Sequence, residues 1–127
     1  MFGILNFHIL SAWSKKKEYL MINLDLSGRR AVVTGASLGI GAAVVKTLAD
    51  HGADVVFCAR NQAAIDQLAS YQSVGGTIHG HVADMGDQAS TGAFIQSVAA
   101  AGSVDILINN VGASPSRNFL YMSDDDW

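Results

Sequence analysis

Apolar residues along the chain are arranged in two different rhythms. Short runs stand at 31–33 (Ala31, Val32, Val33), 55–58 (Val55, Val56, Phe57, Cys58), 77–83 and 105–108. The first two are unbroken apolar runs, which read as strands covered on both faces, the habit of a parallel sheet, while Thr77, His79, His81 and Asp105 interrupt the other two. Between them the apolar positions fall at helical spacing. Ile40, Val44, Val45 and Leu48 mark a first helix that Gly52 ends. Asn61 is placed to cap a second, with Ile65, Leu68 and Ala69 on its inner face and Gly75-Gly76 as its stop. A third runs from near Asp87 through Phe94, Ile95 and Val98 to Gly102, and a further helix is expected to begin near Ser123. Strands alternating with helices predict an α/β fold. Right-handed crossovers then give a doubly wound parallel sheet ordered 3-2-1-4, whose carboxyl edge gathers the loops that follow each strand.

Composition narrows the partners. The chain of 127 residues is long enough for one domain, and its 50% hydrophobic and 15% charged content suits strands buried on both faces. A formal net charge of -3 argues against a nucleic-acid or anionic-membrane partner. The single cysteine excludes an intrachain disulfide and suits a reducing cytoplasm, and its place inside the second run favours buried packing over reactivity.

The chemistry gathers at the strand ends. Residues 34–41 read T-G-A-S-L-G-I-G, between the first apolar run and the first helix. Gly35 can take the backbone angles of a tight turn, Gly39 leaves bare main chain for a pyrophosphate, and Gly41 permits close helix packing. The helix start then offers free N–H groups to the anion. At the end of the second run stands Ala59-Arg60, where a carboxylate would bond the ribose 2'-hydroxyl of NAD. An arginine instead matches the 2'-phosphate of NADP(H), so the sequence favours that coenzyme. The third run ends in Asp84-Met85 and the fourth in Asn109-Asn110-Val111-Gly112.

These four strand ends, in this order, resemble the short-chain dehydrogenase/reductase family, in the compact single-domain branch that includes 3-oxoacyl-acyl-carrier-protein reductases. The resemblance covers residues 22–127 and implies a Rossmann-type sheet, cut after its fourth strand, in which 21–127 form the N-terminal part of an NADP-binding domain. It implies pyrophosphate contacts from Gly35, Ser37, Leu38, Gly39, Ile40 and Gly41, a 2'-phosphate contact from Arg60, an adenine border of Asp84 and Met85, and a lining of Asn110, Val111 and Gly112 near the coenzyme's middle. Val111 stands where alanine is commoner, and Leu38 where many NADP-using relatives carry arginine, which leaves the phosphate to Arg60 alone. The family interconverts a small-molecule carbonyl and an alcohol by hydride transfer, with serine, tyrosine and lysine at its catalytic centre and usually as a homo-oligomer. Tyr19, Tyr71 and Tyr121 are followed four positions later by Asn23, Gly75 and Asp125, not by lysine. The chain is therefore expected to be the coenzyme-binding half of a larger enzyme and inactive by itself. A short nucleotide-binding protein without catalysis is one alternative. An S-adenosylmethionine-dependent methyltransferase is another, against which the missing acid after the second strand counts.

Residues 1–20 are expected to be translated leader or a disordered extension. The apolar stretch 2–10 is too short to span a bilayer and lacks the flanks of a secretory signal, and 21–33 (M-I-N-L-D-L-S-G-R-R-A-V-V) looks like a start for this family. Lys17-Glu18, just upstream, can be encoded by a ribosome-binding sequence. An amphipathic anchor is the competing reading. His79 and His81 alternate as a metal pair could, but lack a third ligand in register and read as ordinary strand residues. The serine and acids at 123–126 read as a helix start. Asp84 has turn capping as its plainer reading, Arg60 a solvated loop charge, and Asn109 a side-chain amide that ties neighbouring strands.

Overall fold

The computed structural model describes residues 24–112. Strands β1 (Arg30–Thr34), β2 (Asp54–Ala59), β3 (Thr77–Val82) and β4 (Ile106–Ile108) form one sheet ordered β3-β2-β1-β4, every pairing parallel. Helices α1 (Gly39–Asp50), α2 (Gln62–Ala69) and α3 (Gln88–Ala100) make the crossovers. The expected fold class and strand order are both present. The register aligns Val32 with Val56 on one side and with Leu107 on the other, so β1 lies at the centre of the sheet.

Because successive side chains of a strand point to opposite faces, the two inner strands feed two cores. Ala31, Val33, Val55 and Phe57 pack with Val45 and Ala49 of α1 and Ile65 and Leu68 of α2. Val32, Val56 and Cys58 pack with Phe94 and Val98 of α3 on the other face. Cys58 is fully buried, and burial pushes its thiol up from the ordinary range, in keeping with a packing role.

Three details depart from expectation. The stripe that α1 turns inward is Gly41, Val45 and Ala49, flanked by Val44 and Leu48, while Ile40 is 78% exposed. At roughly 100° per residue, a stripe fixed by 41, 45 and 49 carries residue 40 round to the side. Ala69 and Ile95 are likewise exposed beside their buried neighbours Leu68 and Phe94. Gly75-Gly76 does not stop α2, which closes at Ser70. Gly76 instead permits close approach, since a Cβ there would collide with the Ala53 carbonyl, and its N–H donates to the Ala49 carbonyl at 2.8 Å.

The helix ends are held by side chains where the sequence offers them. Asn61 accepts the Ala64 N–H at 3.0 Å, and Asp87 accepts the Ser90 N–H at 2.7 Å. Arg30 Nη1 donates to the carbonyls of Val98 and Gly102 at 2.9 and 3.0 Å, closing the end of α3. The Arg30 N–H donates to Asp105 at 2.9 Å, and Arg29 pairs with the same carboxylate at 3.1 Å. That hydrogen bond first, and then the Arg29 contact, hold the Asp105 carboxyl below its usual range. A depressed carboxyl stabilises the fold above its unfolded pKa, and the contribution disappears as pH falls through the lower folded value. Asp105→Asn is therefore expected to flatten the acid side of the stability curve, below the ordinary aspartate range, and acid titrations of both proteins by circular dichroism measure it. Superimposable acid limbs would show that Asp105 contributes nothing there.

Candidate functional site

The chain leaves β1 through the glycine turn. Gly35 and Gly39 have φ of 66° and 58°, a region that strongly favours glycine. A Cβ on Gly35 would lie 2.8 Å from Val111 Cγ2, so this turn and the segment after β4 touch directly. Around Gly39 the space is open, with nothing within 4 Å of an added Cβ. Gly41 is the reverse case, because a Cβ there would stand 2.5 Å from Asn110 Nδ2, 2.8 Å from Ala36 Cα and 2.9 Å from the Gly35 carbonyl oxygen. The N-cap of α1 is Leu38, extended and without a side-chain cap, and no acid occupies the first turn. Among the described residues, no side chain caps the opening N–H groups of α1, and a helix start of that kind presents its positive end to an anion.

Two side chains brace this turn against the end of β4. Thr34 Oγ1 accepts the Asn110 N–H at 3.1 Å, and Asn110 Nδ2 donates to the carbonyls of Thr34 at 3.1 Å and Gly35 at 2.9 Å. The strand-tying amide is therefore Asn110, not Asn109, which is exposed and borders an apolar cavity. Adjacent residues at a strand end face opposite sides, so a displacement of one position exchanges the two roles.

A cleft of about 400 Å³ opens at the carboxyl edge, lined by Gly35, Ser37, Arg60, Asp84, Met85 and 110–112. All four strand ends meet there. Leu38 and Gly39 border an adjoining groove of about 370 Å³ between α1 and α2, together with Lys46 and Gln67. Ile40 and Gly41 line neither: Ile40 is exposed, and Gly41 is buried beneath the turn. Arg60 is exposed and makes no ion pair among the described residues. Asp84 does serve a turn, its Oδ1 accepting the Gly86 N–H at 2.9 Å, while it also faces the cleft.

A larger cavity of about 780 Å³, which no motif announces, lies between α3 and the β1–β4 face, bordered by Val32, Phe94, Ile95, Val98 and Leu107 and reaching Met85. Among the described residues, no charged side chain lines it. Its sequence signal was ambiguous, because Ile95 and Leu107 look like core residues yet are 59% and 58% exposed. Tyr71 is remote from the turn chemistry: its hydroxyl donates to Asp50 at 2.9 Å, near the far end of α1, and this bond raises its pKa. His81 packs edge-on against Phe94 with ring centroids 5.8 Å apart, and His79 lies 3.4 Å from Asp54. Tyr19, Tyr121, residues 1–20 and the acidic run at 123–126 lie outside the described residues.

Known proteins resemble this chain in sequence and fold. The chain is 34% identical over 105 residues to the 3-oxoacyl-[acyl-carrier-protein] reductase of Escherichia coli, covering 82% of this chain and 42% of that protein. Among solved structures, the RhlG/NADP active-site complex of Pseudomonas aeruginosa matches with a TM-score of 0.66 and 36% identity, over 73% of this chain and 38% of that one. L-sorbose reductase of Gluconobacter frateurii, complexed with NADPH and L-sorbose, matches with a TM-score of 0.72 and 29% identity, over 84% and 41%. The chain thus spans about two fifths of the length of the relatives it matches. Residues 29–127 fit the family described as short chain dehydrogenase, and with the glycine turn, the Asn110 brace and the strand order all in place, the chain belongs to that family of oxidoreductases.

Proposed function

We propose that the cleft binds NADP(H) and that 21–127 are the coenzyme-binding part of an enzyme interconverting a small-molecule carbonyl and an alcohol. The observation that carries the coenzyme choice is Arg60, exposed at the end of β2 on the same cleft as Ser37, with no carboxylate at that strand end. A guanidinium there supplies a donor fork for phosphate oxygens, whereas an acid would have been needed for a bare ribose hydroxyl. Two relatives of known structure were solved with NADP or NADPH, which supports the same reading. Membership of an oxidoreductase family sets the methyltransferase alternative aside.

In this account the uncapped start of α1 and the open space over Gly39 receive the pyrophosphate, with Ser37, Leu38 and Ile40 beside it. Asp84 and Met85 border the adenine. Val111 and Gly112 lie towards the coenzyme's middle, with Gly35, Gly41 and Asn110 holding the turn in shape. When bound, the coenzyme would supply the hydride that a carbonyl carbon needs, and a proton would complete the alcohol. The described residues bind and orient, and none is assigned the proton. A homo-oligomeric whole protein acting in the cytoplasm belongs to the same proposal.

Arg60→Ala is expected to weaken NADP(H) by about 1.5–3 kcal/mol, the range for hydrogen bonds to charged groups, and to leave NAD(H) nearly unchanged. Fluorescence titration with both coenzymes decides it. Equal losses for the two would remove Arg60 from phosphate recognition.

A further inference from the structure

The adenine-facing segment has no sheet to hold it. The β2–β3 ladder ends with Ala59 opposite Val82, and the last bond of that ladder type is the Ala83 N–H to the Ala59 carbonyl at 2.9 Å. β3 is an outer strand, so from Asp84 onward the backbone needs other partners. They come from the first turn of α3. Ser90 Oγ accepts the Asp84 N–H at 2.9 Å, and Thr91 Oγ1 donates to the Asp84 carbonyl at 3.4 Å. The Ser90 N–H itself goes to Asp87 Oδ2 at 2.7 Å, and the Asp87 N–H returns to the Asp84 carbonyl at 3.1 Å. Ser90 therefore uses its amide to fix the start of α3 and its hydroxyl to fix Asp84. With Oδ1 of Asp84 also held by the Gly86 N–H, both backbone and carboxylate are set before any ligand arrives.

From this geometry we infer that Ser90 is a positioning residue for the coenzyme's adenosine half, acting through Asp84 and Met85 without touching the ligand. The inference rests on the coenzyme reading of the cleft. It predicts an effect confined to one half of the ligand, because the pyrophosphate cradle is braced separately by Thr34 and Asn110.

The experiment compares Ser90→Ala and Ser90→Thr with the unaltered 127-residue chain, using NADPH, NMNH (the coenzyme without its adenosine half) and amide hydrogen exchange at Asp84 without ligand. Ser90→Ala is expected to speed exchange at Asp84 and weaken NADPH about two- to tenfold, the equivalent of one net hydrogen bond, with NMNH unchanged. Ser90→Thr, which keeps the hydroxyl, restores both. Unchanged exchange at Asp84, or equal weakening of NADPH and NMNH, overturns the positioning role. An unaltered chain that binds neither ligand overturns the coenzyme reading instead, and with it the ligand consequence of the brace.

Discussion

Phe57→Ala is expected to destabilise the fold by about 3–5 kcal/mol, the usual loss for a large aromatic removed from a packed core. Phe57 is fully buried at the middle of β2 and belongs to the core cluster shared by β1, α1 and α2. Its ring occupies space that Gly80 on β3 leaves open: a Cβ there would come within 2.8 Å of Phe57 Cζ and would also collide with Ile65. That arrangement joins β2, β3 and α2 through one side chain, so little can collapse into the hole. The effect should reach function, since β2 delivers Arg60 and β3 delivers Asp84 to the cleft. Urea titration measures it as a lower midpoint at unchanged slope. A loss below about 1 kcal/mol would mean that the cavity closes by local rearrangement and that the core does not fix the strand ends.

Gly41→Val is expected to cost about 3 kcal/mol, at the upper end of overpacking, and to abolish measurable coenzyme binding. The new Cβ would meet Asn110 Nδ2, Ala36 Cα and the Gly35 carbonyl oxygen, two of them backbone atoms of the turn itself. Of these three atoms, Asn110 Nδ2 alone belongs to a side chain, and moving it breaks its bonds to the carbonyls of Thr34 and Gly35. Gly39→Ala makes a useful contrast, since the space there is open and only the positive φ is strained. Thermal melts and NADPH titrations of both variants separate the two causes. Gly41→Val with wild-type stability would show that the turn yields more easily than its contacts imply.

Much of this was legible in the sequence, for identifiable reasons. Strands buried on both faces leave runs such as 31–33 and 55–58, and the handedness of crossovers then allows few sheet orders. Asn61 and Asp87 announced their helices because a capping side chain is a local event. The failures share a different origin. Gly75-Gly76 looks like a helix stop, but whether a glycine ends a helix or admits a distant carbonyl depends on Ala53, which no local pattern reveals. The exchange of roles between Asn109 and Asn110 turns on a one-residue register between β1 and β4. Ser90 was invisible for the same reason, because its partner Asp84 sits across a turn and its type is unremarkable for a helix start. The exposure of Ile95 and Leu107 could not be read either, since apolar identity alone does not say what covers a side chain.

Whether the four strand ends form one NADP(H) cleft is tested by amide chemical-shift mapping of the isotope-labelled chain titrated with NADPH and, separately, NADH. Resonances of Ser37, Leu38, Gly39, Arg60, Asp84, Met85, Val111 and Gly112 are expected to move together along one binding curve, tighter for NADPH. Shifts confined to the α3–β4 cavity around Phe94 and Leu107, equal affinity for both coenzymes, or no shifts at all would contradict a single NADP(H) cleft.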